Sequence, residues 1–243
     1  MALHLLVSTQ QKTYSCVMLA ESRVILTKLL WRKKEWDSVR LSQSQKQSLA
    51  KATATYKANI HLAEGYLAKR GLSLEDGATA HLGVVAEPLP SHEAYIGRLV
   101  IPYITPTGVV DIRFRSMDNS EPKYMGLPGT STRLYNVTAL QSAGDYIAVC
   151  EGEIDAITLH YKCGIPAVGV PGANSWKKHY SRILQDFETV YVFADGDQPG
   201  SDFAKNLAKE LSSVVTLQMP DGEDVNSMYL SRGYDYLRSK VSA

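Results

Sequence analysis

The sequence predicts an α/β fold: a parallel, doubly wound sheet over residues 145–243, preceded by a mixed α+β subdomain. Short apolar runs recur in the last hundred residues, at 146–150, 167–170, 189–194 and 214–219. Helix-like stretches follow these runs, at 153–162, 174–185, 198–211 and 225–239. Apolar strands that alternate with helices are typical of parallel sheets covered on both faces.

The preceding part mixes helix and hairpin signals. Residues 43–70 contain no proline and are rich in Ala, Gln and Lys, which predicts one helix that ends near Gly71. Residues 95–115 predict a hairpin, with its turn at 105–108. Residues 1–40, which include a basic patch at 31–36 between two tryptophans, have no assignable structure, so the basic segment 1–55 is of uncertain fold. We therefore expect three parts, 1–55, 56–144 and 145–243.

Charge is distributed unevenly along the chain. Residues 1–70 hold 12 Lys and Arg against 4 Asp and Glu, whereas residues 151–243 hold 9 against 13. A basic first part and an acidic last part fit phosphate binding beside a metal-holding carboxylate cluster. A solvated, lysine-rich helix face explains the basic part equally well.

Several function classes are disfavoured by composition. No apolar run approaches the roughly 18 residues that a membrane span needs, and the N-terminus lacks a signal peptide pattern. We therefore expect a cytoplasmic protein without a membrane partner. If a phage encodes it, the compartment is the host cytoplasm. The three cysteines, Cys16, Cys150 and Cys163, form no CxxC pair. This spacing favours neither a disulfide framework nor a zinc ribbon, and we expect no zinc.

Acidic residues follow three of the four predicted strands. Glu151 and Asp155 follow the first strand, Asp195 and Asp197 the third, and Asp224 the fourth. The carboxyl ends of parallel strands meet at one edge of a sheet, so these carboxylates should lie close together. Their mutual repulsion is usually resolved by a cation, and oxygen ligands suit Mg²⁺, for which Mn²⁺ can substitute.

Glycines accompany these acids where strands turn into helices. Gly152, Gly196 and Gly200 permit tight turns, and Gly172 closes the second strand in the same way. The backbone N–H groups of such turns can also bind phosphate. Glu153 and Glu223 have no clear role, and we expect both to be surface residues.

The segments EGEIDA, GVPGA, FADGDQPG and PDGEDVN together resemble the TOPRIM domain of primases, topoisomerases and some nucleases. The resemblance implies that Glu151 is the acid/base and also a metal ligand. It implies that Asp195 and Asp197 hold the divalent ion, supported by Asp155 and Asp224.

The preceding segment resembles the catalytic core of DnaG-type primases. The similarity lies in GYLAKRGLS at 65–73, GRLVIP at 97–102, GVVDIRFR at 108–115 and PKY at 122–124, followed by LY at 134–135. It covers about residues 59–230 and implies primer synthesis from NTPs on a single-stranded DNA template. The implied template- or nucleotide-binding residues are Arg98, Arg113, Arg115, Lys123, Tyr124 and Arg133, the last in place of a lysine.

The chain departs from that family in having no zinc-ribbon spacing and little sequence after the TOPRIM-like segment. The resemblance therefore implies a reduced core of the kind phages encode, with a replicative helicase as a partner. We expect it either to work mainly by extending short oligonucleotides or to need a separate zinc-ribbon protein. Two alternatives stay open: a TOPRIM-type nuclease, and a non-catalytic accessory that binds single-stranded DNA. We do not expect a topoisomerase, because a second large domain with an active-site tyrosine would not fit in this length.

Overall fold

The structure, a computed structural model, describes residues 41–118, 120–172 and 175–241. The basic patch at 31–36 and Cys16 lie outside the described residues, as does most of the predicted 1–55 segment. Every helix in the described ranges is too short or too polar to span a membrane. Two four-stranded sheets organise this part of the chain, one antiparallel and one parallel.

The predicted helix over 43–70 is interrupted. Helix α1 (Gln43–Lys57) begins with a capping box at Ser42, and a 3-10 turn (Ile60–Ala63) and helix α2 (Glu64–Lys69) follow it. Ile60 packs over Gly77 in helix α3 (Leu74–Thr79), where an added Cβ would lie 3.3 Å from the Ile60 side chain. This tertiary contact overrides the helical propensity of the segment. Helix α1 also crosses the predicted boundary between residues 55 and 56, and that division stays a prediction.

The antiparallel sheet has the order β1-β2-β3-β4. The predicted hairpin is present as β2 (Leu99–Thr105) and β3 (Gly108–Arg115), and the short strands β1 (Gly83–Val84) and β4 (Tyr124–Gly126) extend it on either side. Alternation along β2 divides the core. Val100 packs in the cluster that contains residues of α1, whereas Leu99, Ile101 and Tyr103 pack in the cluster that contains the parallel sheet.

The parallel sheet confirms the predicted α/β fold. Its order is β6-β5-β7-β8, with strands β5 (Tyr146–Cys150), β6 (Ala167–Gly169), β7 (Thr189–Ala194) and β8 (Val214–Gln218). Short helix α4 (Ala139–Ser142) precedes it. Its later helices are α5 (Glu153–Ile157), which continues as a π-helical turn (Thr158–Lys162), α6 (Lys178–Leu184), α7 (Gln198–Glu210) and α8 (Val225–Ser239). Because β5 and β7 are central neighbours, the acids that follow them are brought side by side.

Candidate active site

Glu151 lies at the carboxyl end of the central strand β5. Its side chain is half-buried, and Oε1 accepts a hydrogen bond of 3.0 Å from the backbone N–H of Asp195, which follows β7. Burial raises the pKa of the Glu151 carboxyl, the Asp195 N–H opposes this, and the charge of Asp197 adds to it. The two strand ends are thus joined through the residue that the sequence singles out as acid/base.

Two glycines allow the backbone to come this close. A Cβ at Gly200 would lie 2.4 Å from the Asp195 carbonyl oxygen and 2.7 Å from Glu151 Oε1. A Cβ at Gly196 would lie 1.7 Å from the carbonyl oxygen of Pro220, in the loop after β8. Real Cβ atoms do not approach so closely, so only glycine lets the turn after β7 press against its neighbours.

Asp195 is the unsatisfied acid of the site. Its Oδ1 is buried and has no hydrogen-bond partner in the part of the chain that the structure describes. Burial raises the pKa of Asp195 to about 8, and the charges of Asp155, Glu151 and Asp224 act in the same direction. Asp197 is exposed and caps helix α7, where its Oδ1 accepts the Gly200 N–H at 2.8 Å.

Asp155 and Asp224 are the other two members of the acidic group. Asp155 is 8% exposed and accepts the backbone N–H of Asn226 at 3.0 Å. Burial, followed by the charge of Asp224, raises its pKa to about 7. Asp224 caps helix α8 by accepting the Ser227 N–H at 2.7 Å.

The donor set fits a hard divalent cation. Within the described ranges, no three His, Cys, Asp or Glu side chains already stand close enough together to enclose a metal ion. Asp195 Oδ1 has no partner among the described residues, and the acids around it disfavour one another's ionised forms, so a cation would stabilise the charged form of this group. This arrangement suits an ion that takes only some ligands from protein and the rest from water and phosphate, as Mg²⁺ does.

Glu153 is not the surface residue that the sequence predicts. It is 1% exposed, and its Oε1 accepts hydrogen bonds from the Tyr103 hydroxyl and from Arg113 Nη1, both at 2.7 Å. This ion pair joins helix α5 to strands β2 and β3. Glu223 agrees better with its predicted surface position, since it is half-exposed. Its backbone carbonyl accepts a hydrogen bond from the Gly196 N–H.

Tyr124 lies between two of the predicted template-binding arginines. The Arg113 guanidinium lies 4.6 Å from the centre of its ring and that of Arg115 lies 4.8 Å away, which is cation–π range. Arg115 Nη1 also donates to the Tyr124 hydroxyl, and its guanidinium lies 5.8 Å from the Tyr66 ring. Arg115 is only 6% exposed, so this cluster holds the ring firmly in place.

The other predicted template contacts differ in their surroundings. Arg98 is 9% exposed and donates to the carbonyl of Pro122 at 2.7 Å, which makes it a support for the turn before Lys123. Lys123 itself is exposed, and Arg133 is half-buried. Of these three side chains, Lys123 is therefore the one most accessible to a strand.

Sequence reasoning overlooked the pair Asn226 and Arg70. The fully buried Asn226 side chain donates to the Arg70 carbonyl at 2.9 Å and to Thr158 Oγ1 at 3.0 Å. Arg70 Nη1 in turn donates to Asn226 Oδ1 at 3.3 Å. The one signal available was that Asn226 follows Asp224 by two residues, which gave no indication of a partner 156 residues earlier.

Asp111 on β3 lies outside the acidic group and should make the free energy of unfolding depend on pH. It is 4% exposed, and burial raises its pKa to about 6, against the lowering effects of the Ile112 N–H and Arg133. A carboxyl with a raised folded-state pKa contributes stability below its unfolded pKa, near 3.9, and loses it as the pH rises through about 6. The parent should therefore lose about 1–3 kcal/mol relative to Asp111→Asn between pH 3.5 and pH 7. Denaturant titrations at several pH values measure this, and parallel curves would contradict it.

Residues 148–229 match the Toprim-like family. Over 152 residues the chain is 46% identical to the Gene 57 protein of Mycobacterium phage D29, covering 60% of this chain and 99% of that protein. Over 166 residues it is 26% identical to the DNA primase of Buchnera aphidicola, covering 62% of this chain but only 29% of the primase.

Solved structures show the same fold. The RNA polymerase domain of Mycobacterium tuberculosis primase DnaG superposes with a TM-score of 0.68 at 22% identity, covering 82% of each chain. The DnaG primase catalytic domain bound to single-stranded DNA superposes with a TM-score of 0.67 at 22% identity, covering 80% of this chain and 79% of that one. The mixed α/β architecture with its parallel sheet is therefore that of the DnaG catalytic core.

Proposed function

Because this chain belongs to the family of TOPRIM-containing, DnaG-type primase cores, together with the phage Gene 57 protein, we propose that it synthesises short RNA primers on single-stranded DNA. The observation that carries this proposal is the acidic edge of the parallel sheet. There a half-buried Glu151 contacts the backbone of Asp195, and one oxygen of the Asp195 carboxylate has no partner among the described residues. Such an edge can bind the metal-bound triphosphate of a nucleotide.

Each carboxylate has a role in the proposed reaction. Asp195, Asp197 and Glu151 would hold the divalent ion, with Asp155 and Asp224 behind them, and the bound ion supplies positive charge that neutralises the triphosphate. The primer 3′-oxygen attacks the α-phosphorus, the bond to the β-phosphate breaks, and pyrophosphate leaves. Burial raises the pKa of Glu151, which suits it to accept the proton of the 3′-hydroxyl.

The template would lie along the arginine–tyrosine cluster. Strand phosphates supply most of the affinity for single-stranded nucleic acid, and aromatic rings add base stacking. Lys123 offers an exposed charge next to Tyr124, whose ring is held by Arg113 and Arg115. Arg115 is too deeply buried for broad contact with a strand, so we assign it to positioning Tyr124.

The direct test is incubation of the purified chain with Mg²⁺, labelled NTPs and single-stranded DNA. The proposal expects labelled products that lengthen, more of them when a short oligonucleotide primer is supplied than when the chain must initiate unaided. Shortening of the DNA without incorporation would instead identify a nuclease that uses the same carboxylates on water. Binding with neither outcome would identify an accessory protein.

Lys123→Ala should weaken binding to single-stranded DNA through one lost phosphate contact. The slope of log K against log salt should fall by about 0.7 in magnitude, because each neutralised phosphate releases about that many counterions. Fluorescence anisotropy over a series of NaCl concentrations measures the slope. Lys209→Ala, which removes an exposed charge at the far end of α7, is the matched control. Equal slopes for the two variants would place the strand elsewhere.

A further inference from the structure

Lys177 and Arg133 come from separate parts of the chain and are brought near each other through the backbone of Thr132. Lys177 lies directly before helix α6, and its Nζ donates to the carbonyl of Thr132 at 2.5 Å. The Tyr180 hydroxyl donates to the same carbonyl at 3.1 Å. These two bonds fix the backbone that carries Arg133, the next residue along the chain.

The two cations are close enough to influence each other. Burial, and then the charge of Arg133, lower the pKa of the Lys177 ammonium. Neither side chain has an acidic partner within 4 Å among the described residues. The Arg133 Nε is buried and has no hydrogen-bond partner there either. Bringing two half-buried positive charges together costs free energy unless an anion compensates them.

Asp111 compensates these positive charges only in part. Asp111 interacts electrostatically with Arg133, but its Oδ1 accepts the Ile112 N–H at 2.9 Å. With its pKa raised by burial to about 6, Asp111 is still largely ionised at neutral pH, but its single charge can balance only one of the two cations. Positive charge around Arg133 and Lys177 is therefore left for an external ligand.

The position of the pair indicates which ligand this is. Tyr135, two residues after Arg133, exchanges backbone hydrogen bonds of 2.8 and 3.2 Å with Gly169, the last residue of β6. The N–H of Gly172 then donates to the carbonyl of Glu151 at 3.3 Å. Arg133 therefore lies two residues from a backbone link to the carboxyl end of β6, the strand that neighbours β5 in the sheet.

We propose that Arg133 and Lys177 together bind a phosphate group of the substrate, with Lys177 as a contact that the family resemblance does not supply. This inference rests on the proposed function only in its choice of substrate. Guanidinium and ammonium groups are the usual protein partners of phosphate. The phosphate belongs either to the DNA strand or to the incoming nucleotide, and the two sources give different results below.

The test compares Lys177→Met with Lys178→Met, its exposed neighbour on α6. DNA binding is measured in EDTA over a range of salt, and the KM for NTP is measured in the extension assay. A strand phosphate predicts that Lys177→Met lowers the salt slope by about 0.7 while the KM is unchanged. A nucleotide phosphate predicts an unchanged slope and a KM raised about tenfold, the loss of one charge-assisted hydrogen bond. Lys177→Arg should retain most of the parent behaviour in either case.

A footprint on the unaltered protein covers the case in which Lys177→Met does not fold. Lysine acylation followed by mass spectrometry should show that single-stranded DNA or NTP slows the modification of Lys177 but not that of Lys178. Equal behaviour of the two methionine variants, or equal acylation with and without both ligands, overturns the proposal. The DNA-binding measurement in EDTA does not depend on catalysis. If the protein makes no primers but Lys177→Met still lowers the salt slope of DNA binding, the proposed function is refuted and the phosphate site is retained.

Discussion

A double variant, Asp195→Asn with Asp197→Asn, is expected to lose primer extension by a factor of about a hundred to a thousand or more, while the fold is retained. The activity should fall because the metal and the triphosphate lose two anionic ligands, and such electrostatic contacts carry much of the stabilisation of a transition state. Extension assays at saturating Mg²⁺ and NTP measure the loss.

The fold should survive for two reasons. Asparagine is as good a helix N-cap as aspartate, so the bond from Gly200 N–H to position 197 can be kept. At position 195 the change removes an acid whose ionised form is already disfavoured by burial and by the neighbouring carboxylates. The control is Asp202→Asn, an exposed site on the same helix. Retention of more than a tenth of the activity by the double variant would exclude the proposed metal site.

The parallel sheet and its acidic edge could be predicted because their signals are local. Strands β5 and β7 have the predicted bounds, since each is an apolar run that is buried on both faces. Because the strands are parallel, all their carboxyl ends lie at one edge of the sheet. The sequence therefore predicts that Glu151 and Asp195, which are 44 positions apart, lie close together. Predicting the position of these acids required no knowledge of side-chain contacts.

The antiparallel subdomain was less predictable because its contacts are distant in sequence and specific to side chains. Arg98 has the sequence appearance of a template contact, but its guanidinium is directed to a carbonyl that the turn at Pro122 presents. Glu153 has the appearance of a solvated helix residue until β3 places Arg113 beside it. Charge and periodicity do not encode such pairings, which depend on how the two sheets pack.

The buried ion pair between Glu153 and Arg113 should be the most sensitive link between those sheets. Glu153→Gln leaves the Arg113 guanidinium without a counter-charge in a half-buried position, where its side chain is 19% exposed. Removing one partner of a buried pair costs about 3–5 kcal/mol, and we expect about 3 here because Arg113 retains some contact with water. The free energy of unfolding in urea, with an unchanged m-value, measures the loss.

A double-mutant cycle separates this pair from its surroundings. Arg113→Met alone should also be strongly destabilising, because it leaves a carboxylate that is 1% exposed without its cation. In the combination Glu153→Gln with Arg113→Met neither charge is stranded, so the loss should be smaller than the sum of the single losses by about 2 kcal/mol. Additive losses would mean that the two groups act independently. Since Arg113 also lies under the Tyr124 ring, each single variant should weaken DNA binding more than the destabilised control Phe114→Leu, which changes the core on the other face of β3.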